Sequence, residues 1–347
     1  MTSRSQEVRL ATIMCGAAMV MLMTTLSCDS IGPEPKPVPA PQVPAAPLVP
    51  KEPTAPKEPT VRIMPGQIVY SDPWGGIFVA DSNRAAFTNL SGDSRDFDPA
   101  VSADGKKIAF SSWVGNEDGR DIWVMNADGT NRLRLTHTAN ISTLRISTSP
   151  AWSPDGRRIA FVTSPGLWEH KIFVMNANGS DIKQITDDDM DSLDPEWSFD
   201  GDRILFSRPS GYQEDVGIFE MNQDGSNVRR VSRYSGFPTR SPDGRSIAFS
   251  AGSLFVMNSD GSNVTVVMSG FDWSGFDVYG IPDESRKVAW SPDGKSIIFA
   301  IGSASKTCYD DWFNADPCGV DLKRVGLDGV IDTTWQIRSA SSPVWQR

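Results

Sequence analysis

One short pattern recurs through this chain and limits the folds that the chain can adopt. Its clearest copy is SPAWSPDGRRIAF, from Ser149 to Phe161, and close copies begin at Asp98 and Val288. An apolar run reaches a turn of the Ser-Pro-Asp-Gly type, and a run of β-forming residues follows. Proline fixes φ in such a turn, aspartate bonds back to the backbone, and glycine adopts the left-handed conformation. Each copy therefore predicts two antiparallel strands joined by a tight turn.

A second turn follows each copy after a variable connection and closes another pair of predicted strands. This gives four strands per repeat, and successive repeats lie about 40–50 residues apart, as in the blades of a β-propeller. The first turns are Asp104-Gly105, Asp155-Gly156, Asp200-Gly201, Asp243-Gly244 and Asp293-Gly294. The second turns are Asp128-Gly129, Asn178-Gly179, Asp224-Gly225, Asp260-Gly261 and Asp328-Gly329.

The two ends of the repeat region complement each other. Ile68 to Ser71, Gly76 to Asp81 and Ala85 to Leu90 match the last three strands of a repeat, with no first strand before them. Ser342 to Gln346 matches a first strand, so the C-terminal strand can complete the N-terminal blade and leave no open sheet edge. The sequence therefore predicts an all-β fold, a closed six-bladed β-propeller over residues 63–347.

The repeats DPAVSADGKKIAF, SPAWSPDGRRIAF and VAWSPDGKSIIF resemble those of the TolB-like β-propeller family, which has WD-type repeats. The resemblance covers roughly residues 66–347 and implies the propeller fold. TolB carries an α/β domain ahead of its propeller, where this chain has two segments of another kind. A role in the Tol-Pal envelope system is therefore not implied.

Residues 1–28 have the features of an export signal. Arg4 and Arg9 precede an uncharged run from Leu10 to Leu26. Leu26-Ser27-Cys28 resembles the lipobox of bacterial lipoproteins, although Thr25 stands where that motif prefers an aliphatic residue. We expect lipidation of Cys28 and a lipid-anchored location at the bacterial cell envelope, on the outer membrane or the periplasmic face. A cleaved or retained ordinary signal is the alternative.

Residues 29–62 form a Pro-rich segment that predicts a disordered linker. Prolines remove backbone donors and fix φ, which excludes helix and sheet. Its stretch from Gly32 to Thr60, fully extended as polyproline, would reach at most roughly 90 Å, at about 3.1 Å per residue.

Tight turns lie on one face of such a ring, here called the uniform face, and the remaining connections lie on the opposite, variable face. The connections on the variable face differ in length and combine aromatic with charged residues, as recognition surfaces do. The alternative is that these loops pack on each other and plug the ring. The candidate binding residues are Trp113, Trp168, His170, Tyr212, Trp273, Tyr279, Tyr309 and Trp312.

Two further features of the variable face have a structural interpretation. Cys308 and Cys318 predict a disulfide within a long loop of an exported protein, in preference to a metal site. The run from Asp187 to Asp191 could bind Ca²⁺, but it lacks the spacing of a known calcium loop. A solvated acidic connection is the preferred interpretation.

Charge and motifs restrict the possible functions. A net charge of -10 argues against nucleic acid as a partner. The chain has no Gly-x-Ser-x-Gly elbow, no His-Glu-x-x-His pair and no phosphate-binding glycine loop, so we assign no catalytic residue, metal or cofactor. We expect a monomeric, non-enzymatic, envelope-anchored propeller that binds a protein partner or acts as a scaffold. The alternative is a propeller that binds or cleaves carbohydrate, as a lyase or glycosidase would.

Overall fold

The protein folds as six four-stranded antiparallel sheets arranged as the blades of a propeller. The structure is a computed structural model that describes residues 61–72, 75–81, 87–92, 95–114, 119–137, 146–166, 169–209, 215–269, 287–302, 320–337 and 340–346. Within these ranges the regular structure is all β-strand, as the sequence predicts. No helix in them is long and apolar enough to cross a membrane.

Blade 1 is built from both ends of the chain, and blades 2 to 6 follow in sequence order. Blade 1 contains β24 (Ser341–Trp345), β1 (Ile68–Ser71), β2 (Ile77–Ala80) and β3 (Phe87–Asn89). Blade 2 contains β4 (Asp96–Val101), β5 (Lys107–Trp113), β6 (Arg120–Asn126) and β7 (Leu133–Arg134). Blade 3 contains β8 (Ser147–Trp152), β9 (Arg158–Gly166), β10 (Glu169–Asn176) and β11 (Lys183–Gln184). Blade 4 contains β12 (Leu193–Trp197), β13 (Arg203–Arg208), β14 (Gly217–Asn222) and β15 (Arg229–Ser232). Blade 5 contains β16 (Thr239–Arg240), β17 (Ser246–Ser250), β18 (Leu254–Asn258) and β19 (Thr265–Met268). Blade 6 contains β20 (Val288–Trp290), β21 (Ser296–Gly302), β22 (Val320–Gly326) and β23 (Ile331–Ile337).

The repeated turn adopts the predicted conformation. In blade 3, Gly156 has φ of 67° and its N–H donates to the Ser153 carbonyl at 2.9 Å. Ser153 Oγ donates to Asp155 Oδ1 at 2.6 Å, and the same carboxylate oxygen accepts the Arg157 N–H at 3.0 Å. The aspartate of the motif is therefore occupied by its own turn.

The ring closes through β24, as predicted from the two ends of the sequence. Ile68 pairs with Trp345 and Val69 with Val344, so the C-terminal strand becomes the innermost strand of blade 1. Beyond the strand, Gln346 donates its N–H to Gln67 O at 2.9 Å and accepts the Gly66 N–H at 3.0 Å. Blade 1 would otherwise present the edge of β1 to the channel.

Aromatic side chains from the second strands fill the blade interfaces. Phe110, Phe161, Phe206, Phe249 and Phe299 occupy one equivalent position in blades 2 to 6, and each is at most 1% exposed. Burial of a side chain of this size contributes about 1.5–3 kcal/mol. The first-strand tryptophans lie on the neighbouring blade: Trp152 Nε1 donates to Ala100 O at 3.1 Å, and Trp290 Nε1 donates to Thr239 O at 3.1 Å.

The boundary between blades 4 and 5 replaces this packing with charges. Arg240 stands where blades 1, 3, 4 and 6 have tryptophan, and it forms an ion pair with buried Glu220, which stands where β6 has Val124. Arg203 and Arg229 also donate to Glu220 Oε2, at 2.9 and 2.6 Å. Burial raises the pKa of Glu220, but the arginines outweigh this effect and hold the pKa below its usual range.

We expect Glu220→Val to lower the free energy of unfolding by about 3 kcal/mol, because buried Arg240 loses its carboxylate. The double variant Glu220→Val with Arg240→Trp places at this boundary the residue types found between blades 2 and 3. There Val124 and Trp152 belong to one apolar cluster. The double variant should recover most of the loss, as measured by urea unfolding of all four members of the mutant cycle. A double variant no more stable than Glu220→Val would contradict this account.

Candidate functional site

Six equivalent residues, one from each blade, form a ring on the channel side of the propeller. Four of them precede a proline and have positive φ: Asp98 (52°), Ser149 (51°), Asp194 (52°) and Ser342 (44°). In β4, β8 and β12 the pairing register shifts at this step, which indicates a β-bulge. The residues of this channel ring are Asp98, Ser149, Asp194, Phe237, Lys287 and Ser342.

The polar members of the channel ring bond to one another across the blades. Lys287 Nζ lies 3.1 Å from Asp98 Oδ1 and 3.3 Å from Ser149 Oγ. Ser342 Oγ donates to Asp98 Oδ1 at 3.3 Å, and Ser149 Oγ donates to Asp194 Oδ1 at 3.2 Å. Residues far apart in sequence thus form one buried network, which exists only when the ring is closed.

Asp194 is the least well stabilised carboxylate of this network. Its carboxylate is 3.9 Å from Lys287 Nζ, beyond hydrogen-bond distance, whereas Asp98 is at 3.1 Å. Burial raises the pKa of Asp194 to about 6; the Lys287 charge lowers it and the Asp98 charge raises it further. Asp194 therefore remains partly protonated near pH 6.

A cavity of about 330 Å³ extends from the channel ring to the uniform face. Asp194, Lys287 and Ser149 form its inner end, and Pro154 and Phe199, in first turns, line its outer end. Between them the wall is mostly proline, alanine and valine from the first strands. The wall residues include Pro99, Ala100, Pro150, Ala151, Pro195, Pro238, Val288, Ala289, Pro343 and Val344.

Two of the predicted binding residues lie in the described part of the chain. Trp113 ends β5, and His170 is at the start of β10, so both border connections on the variable face. The other six lie outside the described residues: Trp168, Tyr212, Trp273, Tyr279, Tyr309 and Trp312. Cys28, Cys308 and Cys318 also lie outside them, so lipidation and the disulfide stay predictions.

Trp113 belongs to an aromatic stack. The Arg120 guanidinium carbon lies 4.8 Å from the centroid of the Trp113 ring and 4.6 Å from that of Phe97. A guanidinium this close to the faces of two aromatic rings has a favourable cation–π geometry with each. The stack fixes the orientation of half-buried Trp113 on the variable face.

The acidic run near His170 is held by basic side chains. Buried Lys171 directs its ammonium to the carbonyl oxygens of Asp188 and Met190, the latter at 2.9 Å, while Arg208 forms an ion pair with Asp188. Asp191 accepts the His170 N–H at 2.8 Å. An ammonium thus binds carbonyl oxygens of the kind that a calcium ion would use. Part of the run is a paired connection rather than a merely solvated one.

Sequence reasoning missed the channel ring. The sequence did contain a signal, at the position just before the proline of the first strand, or before Val288 in blade 6. The residue at this position is polar, charged or aromatic in different repeats, whereas its neighbours repeat. Asp98-Pro99 and Ser149-Pro150 begin two copies of the repeated motif, from which the sequence predicts only strands and turns. The ring becomes apparent once six such positions are placed around one channel.

The fold and its repeats define a six-bladed β-propeller with a hairpin motif in each blade. Residues 77–268 and 142–309 match the family described as PD40, TolB beta propeller domain. These matches cover well over half of the chain, which therefore belongs to the TolB β-propeller family.

The curated proteins similar to this chain align with it over only part of their length. An uncharacterized peptidase, YuxL, of Bacillus subtilis strain 168 is 28% identical over 219 residues, 62% of this chain and 30% of that protein. A protein TolB homolog of Chlorobium luteolum is 33% identical over 156 residues, which are 42% of this chain and 33% of the length of that homolog. The chain therefore aligns with about a third of the length of each of these curated relatives. The crystal structure of TolB from Acinetobacter baumannii has a TM-score of 0.59 at 18% identity, covering 81% of this chain and 66% of that one, a likeness of fold alone.

We expect Asp194→Asn to be more stable than the wild type at pH 7.5, by an amount on the order of 2 kcal/mol. The raised pKa means that the ionised carboxylate is less stable in the folded protein than in the unfolded chain. Wild-type stability therefore falls as pH rises from 3.8, the pKa of Asp194 in the unfolded chain, to about 6, its pKa in the folded protein. The advantage of the variant should therefore shrink as pH falls towards 4, as followed by urea unfolding at several pH values.

The matched control is Asp155→Asn. Hydrogen bonds from Ser153 and the Arg157 N–H lower the pKa of Asp155, so its carboxylate stabilises the fold above the unfolded pKa and loses that effect as pH falls. Asp155→Asn should be less stable at pH 7.5, the opposite sign. An Asp194→Asn variant that is also less stable at pH 7.5 would contradict the assignment.

Proposed function

We propose that this protein is a non-enzymatic binding propeller of the bacterial cell envelope, which holds a protein partner on its variable face. The observation that carries the proposal is the combination of a closed ring with membership of the TolB β-propeller family. The closed ring fixes the described strand ends that border the variable face, so a side chain such as Trp113 at the end of β5 is presented in a fixed position. Ordering a preorganised surface costs little on binding.

The stack of Phe97, Arg120 and Trp113 supports a recognition role for the variable face. Aromatic and arginine side chains are enriched in protein interfaces because they supply large contact areas and directional polar groups. This stack orients both kinds of side chain at a border of the variable face. It gives the proposed interface a rigid starting point beside loops of unequal length.

The lipid anchor is the second element of the proposal. Lipidation of Cys28 would tether the chain to a membrane, and the Pro-rich segment would separate the propeller from it. Partition into detergent that is lost in Cys28→Ser would support the anchor. Partition that survives this substitution would exclude lipidation as its cause.

In-cell photo-cross-linking tests the interface directly. A benzoylphenylalanine at position 113 should capture one discrete protein from the native envelope, identified by mass spectrometry. The matched control is the same probe at exposed position 183, on the outermost strand β11 of blade 3. The purified captured protein should then bind the purified propeller. Equal capture at both positions, or none at 113, would contradict the proposal.

The carbohydrate alternative has a separate measurement. The purified protein would be incubated with acidic and neutral oligosaccharides, and both binding and cleavage would be followed. The non-enzymatic proposal predicts no cleavage.

A further inference from the structure

The inner end of the channel cavity contains a buried carboxylate with few partners. The Asp194 side chain is about 10% exposed, and its one hydrogen bond in the described structure comes from Ser149 Oγ at 3.2 Å. An ionised carboxylate can accept about four hydrogen bonds, and a buried one with a single weak partner is costly. Asp194 therefore has unused capacity to accept hydrogen bonds on the wall of an accessible cavity.

The charges at this end of the cavity favour a cation. Among the described residues, the Lys287 ammonium lies 3.1 Å from Asp98 and 3.9 Å from Asp194. Glu196 also lines the cavity, where it accepts the Arg240 N–H at 2.8 Å and the Thr239 hydroxyl at 3.2 Å. When ionised, the carboxylates of Asp98, Asp194 and Glu196 outnumber the one ammonium among the described groups at this end, which disfavours an anion and favours a positive group.

The walls suit the aliphatic part of a long basic side chain. Lysine and arginine pack their methylene groups on apolar surface while the charged end contacts polar groups. Here the apolar stretch, such as Pro150, Ala151 and Pro195, lies between the uniform face and Asp194. The volume of about 330 Å³ is at the small end of the range for ligand pockets, about 300–1,000 Å³.

The outer rim offers a further contact to a polypeptide. Phe199 lines the cavity and is 45% exposed, beside Pro154 of the neighbouring first turn. Residues flanking an inserted basic side chain could cover this ring, whereas a free amine could not. The rim therefore favours a protein segment over a small molecule.

We propose that the channel cavity is a binding site for a lysine or arginine side chain, inserted from the uniform face by an extended segment of a protein partner. The positive group contacts Asp194, its methylene groups contact the proline and alanine wall, and the flanking residues cover Phe199. This site goes beyond the proposed function, because it lies at the other end of the channel from the variable face. It does not depend on the outcome of cross-linking at position 113.

The test uses the full chain and two synthetic peptides. The first is acetylated and amidated Ala-Pro-Lys-Pro-Ala, in which proline favours an extended backbone, and the second carries norleucine in place of lysine. Fluorescence anisotropy of labelled peptides should show at least tenfold tighter binding of the lysine peptide. Asp194→Asn should abolish this preference, whereas Asp155→Asn, a turn aspartate that does not line the cavity, should retain it.

A second variant guards against a folding defect in Asp194→Asn. Ala151→Leu adds bulk to the cavity wall without changing charge, and it should weaken binding of the lysine peptide at least tenfold. Equal binding of the two peptides, no binding of either, or a preference that survives both variants would overturn the proposal.

Two controls identify the source of the basic group. Nα-acetyl-lysine amide that binds as tightly as the peptide would replace the protein segment with a small amine and overturn that part of the proposal. Lys36, Lys51 and Lys57 of this chain also lie next to prolines, Lys36 on both sides. If replacing all three by methionine tightens peptide binding tenfold or more, the occupant is the chain's own segment and the partner assignment is wrong. Unchanged binding supports a partner.

Discussion

Pairing of the last strand, β24, with β1 is the constraint on which the rest of the structure depends. The pairing of Ile68 with Trp345 and of Val69 with Val344 joins residues at opposite ends of the repeat region. Without this pairing, blade 1 has three strands and an open edge facing the channel. With this pairing, every blade has an innermost strand, and each innermost strand lies between those of two adjacent blades. The six channel-ring residues then converge on one axis.

Closure makes the channel an electrostatic site. Each blade contributes one residue to the channel ring, next to its first strand. Taken singly, none of these residues indicates a binding site. Brought together, Asp98, Ser149, Asp194, Lys287 and Ser342 form a network in which one ammonium serves two carboxylates. The raised pKa of Asp194 follows from the same geometry, because its position is buried and its nearest cation is shared. The two ends of the channel thus have different character: variable loops at one end, and a proline-walled cavity at the other.

The sequence predicted the scaffold well because the scaffold is local and repeated. The turn at Ser153 to Gly156 is determined by residues adjacent in the chain, and its recurrence reveals strand number, blade number and closure. The channel ring was not predicted because Asp194 and Lys287 meet only through the radius and stagger of the closed ring. Nor did sequence indicate that Arg240 and Glu220 replace a tryptophan–valine contact, since either residue alone resembles an ordinary surface charge. Trp113 and His170 were placed on the variable face because strand alternation alone determines the face.

Thermal unfolding of a chain that lacks residues 341–347 tests the closed ring most directly. A chain that lacks Arg347 alone is the control, because that residue lies beyond β24. Ring closure predicts a clearly lower melting temperature or aggregation for the longer deletion, a small change for the control, and partial recovery when a synthetic peptide of residues 338–347 is added. A longer deletion that melts like the full chain would show that β24 does not close the ring.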